Sequence, residues 1–207
     1  MRKKICLVCA VQFSYEKFIR EISKDLSVED FDVRAVFNWD NPELEPNQKG
    51  VIFKNIDIKR TTNPINILFS IRKLFIYFKS QKFDLIQVHT PIASISARIA
   101  AKLAGCKCIV YKIHGFYFHE NMPIFKRYIH ILIELLLAKI TSKLYLVSNI
   151  FKLVYQSYFD FFEYLHPRKY FFHLENLTFR FVYLNFEINY SLIYLELRHY
   201  HPNYFHP

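Results

Sequence analysis

Phe83-Asp84-Leu85-Ile86-Gln87-Val88-His89-Thr90-Pro91 is the stretch that decides how this chain folds. Residues 83–89 are a short, mostly apolar run of the length a covered strand needs, and the run ends on a histidine. Thr90-Pro91 then opens a helix. Threonine stands at the cap position, and proline at the first helical position, where its missing N–H is one that would have no partner anyway. Gly105 ends that helix. A second apolar run, 107–113, follows and leads into His114. Strand, helix and strand in so few residues predict a βαβ unit with parallel strands.

The same alternation extends in both directions. Residues 4–11 are a continuous apolar run suited to a strand covered on both faces. Residues 15–26 carry Phe18, Ile19, Ile22 and Leu26 at helical spacing, which predicts one helix. Residues 31–37 and 51–58 read as strands. Asn63-Pro64 repeats the cap-plus-proline start, and Ile67, Leu68, Ile71, Leu74, Phe75 and Phe78 continue it as a helix. Downstream, 114–122 reads as a loop, Pro123 opens a helix reaching about residue 140, and 143–147 closes the series as a strand. The predicted fold is α/β, a Rossmann-like doubly wound parallel sheet.

In such a sheet, ligands bind beyond the carboxyl ends of the strands. His89 and His114 both stand at such ends. Thr90, behind His89, places the imidazole beside a helix amino-terminus, where free N–H groups favour anions. Gly115, behind His114, removes a side chain that would block a ligand from the backbone. Each histidine alone could equally be a satisfied structural residue.

Composition narrows the function class. The 207 residues are 52% hydrophobic and 22% charged, enough for one sizeable core and its extension. The formal charge is +10; residues 150–207 hold five Lys/Arg and five Asp/Glu, so the whole excess falls on 1–149. An anionic partner is implied, whether nucleotide phosphate, lipid diphosphate or an anionic membrane surface, and the alternative is a solvated basic surface. No helix-turn-helix, zinc finger or basic-aromatic stripe supports nucleic acid. Cys6/Cys9 and Cys106/Cys108 have unequal spacing and sit in or at the edge of predicted strands, so small buried thiols are expected rather than a zinc site. The apolar run after Arg2, Lys3 and Lys4 is too short for a span and has no cleavage site, and 129–137 is broken by His130 and Glu134. The expected compartment is the cytoplasm.

The segment 83–91 resembles the D-[IL]-[IV]-x-x-H-T-P stretch of bacterial glycosyltransferase family 4 polysaccharide enzymes. The similarity continues through Ala97-Arg98, Ala100-Ala101-Lys102 and Val110-Tyr111 to His114-Gly115-Phe116-Tyr117-Phe118, where that family carries Y-T-x-H-G-F-x-F, and on to Ile133-Glu134. The resemblance covers 1–149. It implies the amino-terminal, acceptor-side half of a GT-B enzyme with a retaining, metal-independent reaction and no cofactor beyond a nucleotide-sugar donor. The implied acceptor is lipid-linked or a saccharide. His114 maps onto the histidine near the transferred sugar and is the expected catalytic residue; His89, Thr90, Gly115 and Phe116 are the expected substrate-binding residues. The family also implies peripheral contact with the inner face of the membrane, for which 65–79 and 124–139 have suitable basic, apolar composition.

Departures are equally specific. Val11-Gln12-Phe13-Ser14 lacks the glycine frequent after the first strand, Lys112 replaces a threonine, and Glu120-Asn121 replaces a basic or glycine-containing loop. Residues 150–207 contain no Gly, Ala, Cys or Met, are crowded with Phe and Tyr, and lack the family's E-x7-E donor pattern. They read as aberrant or frameshifted sequence, with an aromatic membrane-contact or partner-binding segment as the other reading. The chain is expected to have little transferase activity alone. The alternative is a non-catalytic Rossmann-like binding module that partners a separate donor-domain subunit.

Overall fold

The apolar run at the start of the chain becomes the middle of a sheet. In the computed structural model, which describes residues 2–29, 31–39, 46–118 and 121–146, the elements are β1 (Lys4–Val11), α1 (Gln12–Phe18), α2 (Arg20–Val28), β2 (Asp32–Asn38) and β3 (Val51–Asn55). There follow α3 (Pro64–Gln81), β4 (Leu85–His89), α4 (Pro91–Leu103), β5 (Cys108–Ile113), α5 (Ile124–Ala138) and β6 (Lys143–Leu146). The expected tail at 150–207, its boundary at 149/150, and Glu120, Val147, Ser148 and Asn149 lie outside the described residues.

All described pairings are parallel, and the strand order is β3-β2-β1-β4-β5-β6. The order reverses between β1 and β4, which is where a doubly wound sheet opens its ligand crevice. Alternation along β1 divides the core. Ile5, Leu7 and Cys9 face the layer of α1 and α2, while Cys6, Val8 and Ala10 face that of α3, α4 and α5. Ala93, Ala97, Ala100 and Ala101 on α4 are fully buried, and their small side chains let that helix lie close on the sheet.

Asp84 sets the register at the switch. Its Oδ2 accepts from the Lys4 amide at 2.8 Å, and its own amide donates to the Lys4 carbonyl at 3.0 Å. Ile5 is thereby paired with Leu85, so the carboxyl ends of β1 and β4 finish side by side.

Some boundaries differ from expectation. Residues 15–26 are not one helix: α1 starts earlier, at Gln12, and Ile19 breaks the path at φ −120°, ψ −29°. The bonds Ile19 N–H to Tyr15 O and Ser23 N–H to Ile19 O still bridge the break, so the apolar spacing survives it. β3 ends at Asn55 rather than 58, although Ile56 and Ile58 remain buried. Asn63 caps α3 as expected, its Oδ1 accepting from Ile65 N–H at 2.9 Å. Thr90 does not cap α4 with its side chain. Its φ of +67° is outside the extended region a capping residue adopts, and for a β-branched residue this is strained backbone.

Candidate functional site

Register brings the two histidines together. His89 is paired with Lys112 across β4 and β5, and His114 lies two residues further, on the same side of the strand by alternation. It overhangs the end of β5 and reaches back to His89, with Nδ1 of His89 and Nε2 of His114 separated by 3.1 Å. The ring planes are 21° apart and the centroids 5.3 Å apart. That separation nearly equals the N···N distance plus the two ring radii. The rings therefore meet edge to edge, and the hydrogen bond lies close to both ring planes.

Phe18, from the end of α1, covers one face of His114 with centroids 4.0 Å apart and planes 26° apart. His89 is fully buried, and its Nε2 has no hydrogen-bond partner among the described residues. The Thr90 hydroxyl beside it is likewise buried without a partner. A buried polar group left unpaired carries a desolvation cost, and two such groups stand at this one strand end.

The histidine pair is held neutral. Burial pushes His89 well below the ordinary histidine value, with the His114 and Lys112 charges acting in the same direction. Burial first, then Lys112, brings His114 down to about 4. Lys112 is itself lowered by burial. At neutral pH the two imidazoles are uncharged, so they can share one N–H···N bond.

A pH prediction follows. Each histidine binds its proton more readily in the unfolded chain, whose value is near 6.5, than in the folded one. Between about pH 6.5 and 4 the unfolded state therefore carries the extra protons, and stability falls as pH falls. Urea midpoints measured across that window are expected to drop for the wild-type chain and to drop less for His114→Phe. Equal slopes would show that the pair is not the cause.

Of the expected site residues, His89, Thr90 and His114 gather at the β4 and β5 ends. Gly115 follows His114 and is half-buried. Phe116 is committed to packing: its ring lies 4.8 Å from that of Phe118 and against the core beneath α3 and α4. Phe18 was not anticipated as a site residue, because its helical spacing marks it only as a packing position. The pairing of Arg98 with Glu134 was not anticipated either. Arg98 Nη2 donates to Glu134 Oε2 at 2.7 Å, and the guanidinium lies 4.3 Å from the Tyr111 ring centre. The pair joins α4 to α5 away from the histidines.

Cys6, Cys9 and Cys108 are buried, Cys106 is half-buried, and all four are free thiols. Among the described residues no three His, Cys, Asp or Glu side chains converge on a point that could hold a metal, and no helix is long and apolar enough to cross a membrane.

The glycosyl transferase 4-like family model matches residues 4–148. A curated relative from Escherichia coli, UDP-Gal:alpha-D-GlcNAc-diphosphoundecaprenol alpha-1,3-galactosyltransferase, is 31% identical over 90 residues, which are 44% of this chain and 23% of that protein. The match thus spans less than a quarter of the relative's length. A glycosyltransferase from Rickettsia africae ESF-5 superposes with a TM-score of 0.55 at 21% identity, covering 73% of this chain and 38% of that one. A UDP-N-acetylglucosamine 2-epimerase from Listeria monocytogenes gives 0.56 at 13% identity, covering 86% and 51%. At these identities the two structures speak to the fold alone.

Proposed function

The chain belongs to the glycosyl transferase 4-like family, and from that premise we propose that residues 1–149 are the acceptor-side half of a retaining, metal-independent transferase of polysaccharide assembly. Its donor would be a nucleotide-sugar and its acceptor a saccharide carried on a lipid diphosphate. The Escherichia coli relative's name supplies that class of pair, a UDP-sugar and a diphosphoundecaprenol-linked sugar. Transfer would require a donor-binding half facing this one across the crevice. A binding module without its own catalysis is the second reading, and the same site would serve it.

The observation that carries the proposal is the His89–His114 pair at the crevice between β1, β4 and β5, with unpartnered polar atoms on His89 and Thr90. His114 would touch the transferred sugar or the reacting acceptor group. His89, Thr90 and Gly115 would line the approach, with Phe116 holding the loop. A site whose histidines are kept uncharged by burial beside the Lys112 cation gains from an arriving anion, which supplies that cation with a counter-charge.

Membrane contact has its own support. α5 is apolar on the side away from the sheet: Phe125 is 82% exposed and Ile124, Ile129 and Leu136 are each more than half exposed, with Lys126 and Lys139 at its ends. α3 shows Ile65, Leu68, Phe69 and Ile76 in the same way, with Arg72 and Lys79 among them. Both helices lie in the same layer on either side of α4. An apolar surface mixed with basic side chains suits the boundary of an anionic bilayer.

One sedimentation and NMR experiment tests both parts. The chain is expected to bind anionic vesicles, and Phe125→Glu/Ile129→Glu to lose most of that binding. Adding a lipid-diphosphate saccharide to the vesicles is expected to shift the ring signals of His114. Binding without any His114 response would remove the acceptor-site assignment and leave a surface-binding protein.

A further inference from the structure

We propose that His89 is a positioning residue that fixes His114 as its Nδ1–H tautomer, so that His114 meets its substrate as a hydrogen-bond donor. The proposal rests on the preceding reading only for where the substrate lies. The tautomer belongs to the chain itself.

An edge-to-edge N···N bond between two neutral imidazoles holds one proton, and that proton decides both rings. If His89 Nδ1–H donates, His89 Nε2 is a bare lone pair; His114 Nε2 accepts, and His114 carries its proton on Nδ1. If His114 Nε2–H donates, every assignment reverses: His89 must carry a proton on Nε2, and His114 Nδ1 is bare. The two arrangements differ in what they bury. His89 Nε2 is sealed and has no partner among the described residues. The second arrangement would make it a buried N–H without an acceptor, and orphaned buried donors are the rarer kind of unsatisfied group.

The groups around the pair point the same way. Gln87 Oε1, on the same face of β4, is buried and also without a partner, so it does not take a proton from His89. Lys112, at the position paired with His89, is a cation whose charge bears on both rings and disfavours added protons there. Phe18 lies on the face of His114 and offers no hydrogen-bond acceptor. With its Nε2 edge committed to His89, His114 has its Nδ1 edge left for a ligand. An Nδ1–H there donates to an oxygen of a sugar hydroxyl or a phosphate. It cannot take a proton from an acceptor hydroxyl, so His114 would hold and polarise rather than act as a base.

The test needs no substrate. In the full chain with nitrogen-15 histidine at pH 7, His114 is expected to show Nε2 as the unprotonated nitrogen and Nδ1 as the protonated one. His89→Asn, whose amide N–H can take the place of the imidazole Nδ1–H, is expected to keep that pattern. His89→Phe is expected to release it, and His114 reverts toward the Nε2–H form that an unconstrained neutral histidine side chain favours. An Nε2–H pattern in the wild-type chain overturns the proposal, and that spectrum decides it even if His89→Phe folds poorly. An unchanged pattern in folded His89→Phe overturns it as well. If the Nδ1–H tautomer is present but lipid-diphosphate saccharides leave His114 unmoved, the functional reading fails while this one stands.

Discussion

Glu134→Leu is expected to destabilise the domain by about 3–5 kcal/mol, because it leaves a buried guanidinium without its counter-charge. Arg98 is 0% exposed and its partner carboxylate only 10% exposed. The cation donates to Glu134 Oε2 at 2.7 Å and to Ser94 Oγ at 3.0 Å, and it lies over the Tyr111 ring. Nη1 already lacks a hydrogen-bond partner among the described residues, and none of these takes over when the carboxylate goes. A domain of this size has on the order of 5–15 kcal/mol in hand, so the single variant would sit close to unfolding. Arg98→Met/Glu134→Leu is expected to recover most of the loss, since two apolar side chains of similar volume avoid the desolvation of both charges. Urea unfolding of the two single variants and the double variant measures this directly. A double variant no more stable than Glu134→Leu would show that packing, not unpaired charge, is at issue.

That pair also shows what the sequence could and could not disclose. Ala97-Arg98 and Ile133-Glu134 were visible as parts of a family resemblance, yet their meeting depends on how α5 docks on α4, which no local pattern states. The βαβ order was legible because each strand is a short apolar run and each helix start carries a cap residue and a proline. Identical signals had different outcomes, however. Asn63 caps α3, while Thr90 is held at φ +67° and caps nothing with its side chain, since the chain must turn sharply out of β4. The break at Ile19 was invisible for the opposite reason: the hydrogen bonds across it preserve the helical spacing of Phe18, Ile22 and Leu26. Both histidines could be placed at strand ends from the sequence. Their 3.1 Å contact could not, because it follows from the pairing of Leu85 with Cys108 across β4 and β5, a register that no local pattern states.

His114→Ala is expected to lower kcat by about 10²–10³-fold in transfer assays with the donor-binding half supplied, the range seen when one preorganised donor facing developing charge is removed. The fold should survive with a smaller loss. The substitution removes the stacked partner of Phe18 and leaves His89 Nδ1 unpaired, on the order of 1–3 kcal/mol for a buried polar group. His114→Asn separates the two roles: its amide N–H can stand where Nδ1–H stood, but nothing replaces the bond to His89. Its turnover is expected to lie between those of wild type and His114→Ala. The pH profile carries the mechanism further. With His114 held near 4 by burial and Lys112, its neutral form prevails from about pH 5 upward, so kcat/KM should show no rising limb near 6.5. A limb at that pH would identify a titrating base and contradict the donor role. Wild-type turnover in His114→Ala would place the chemistry elsewhere along the β1–β4 crevice.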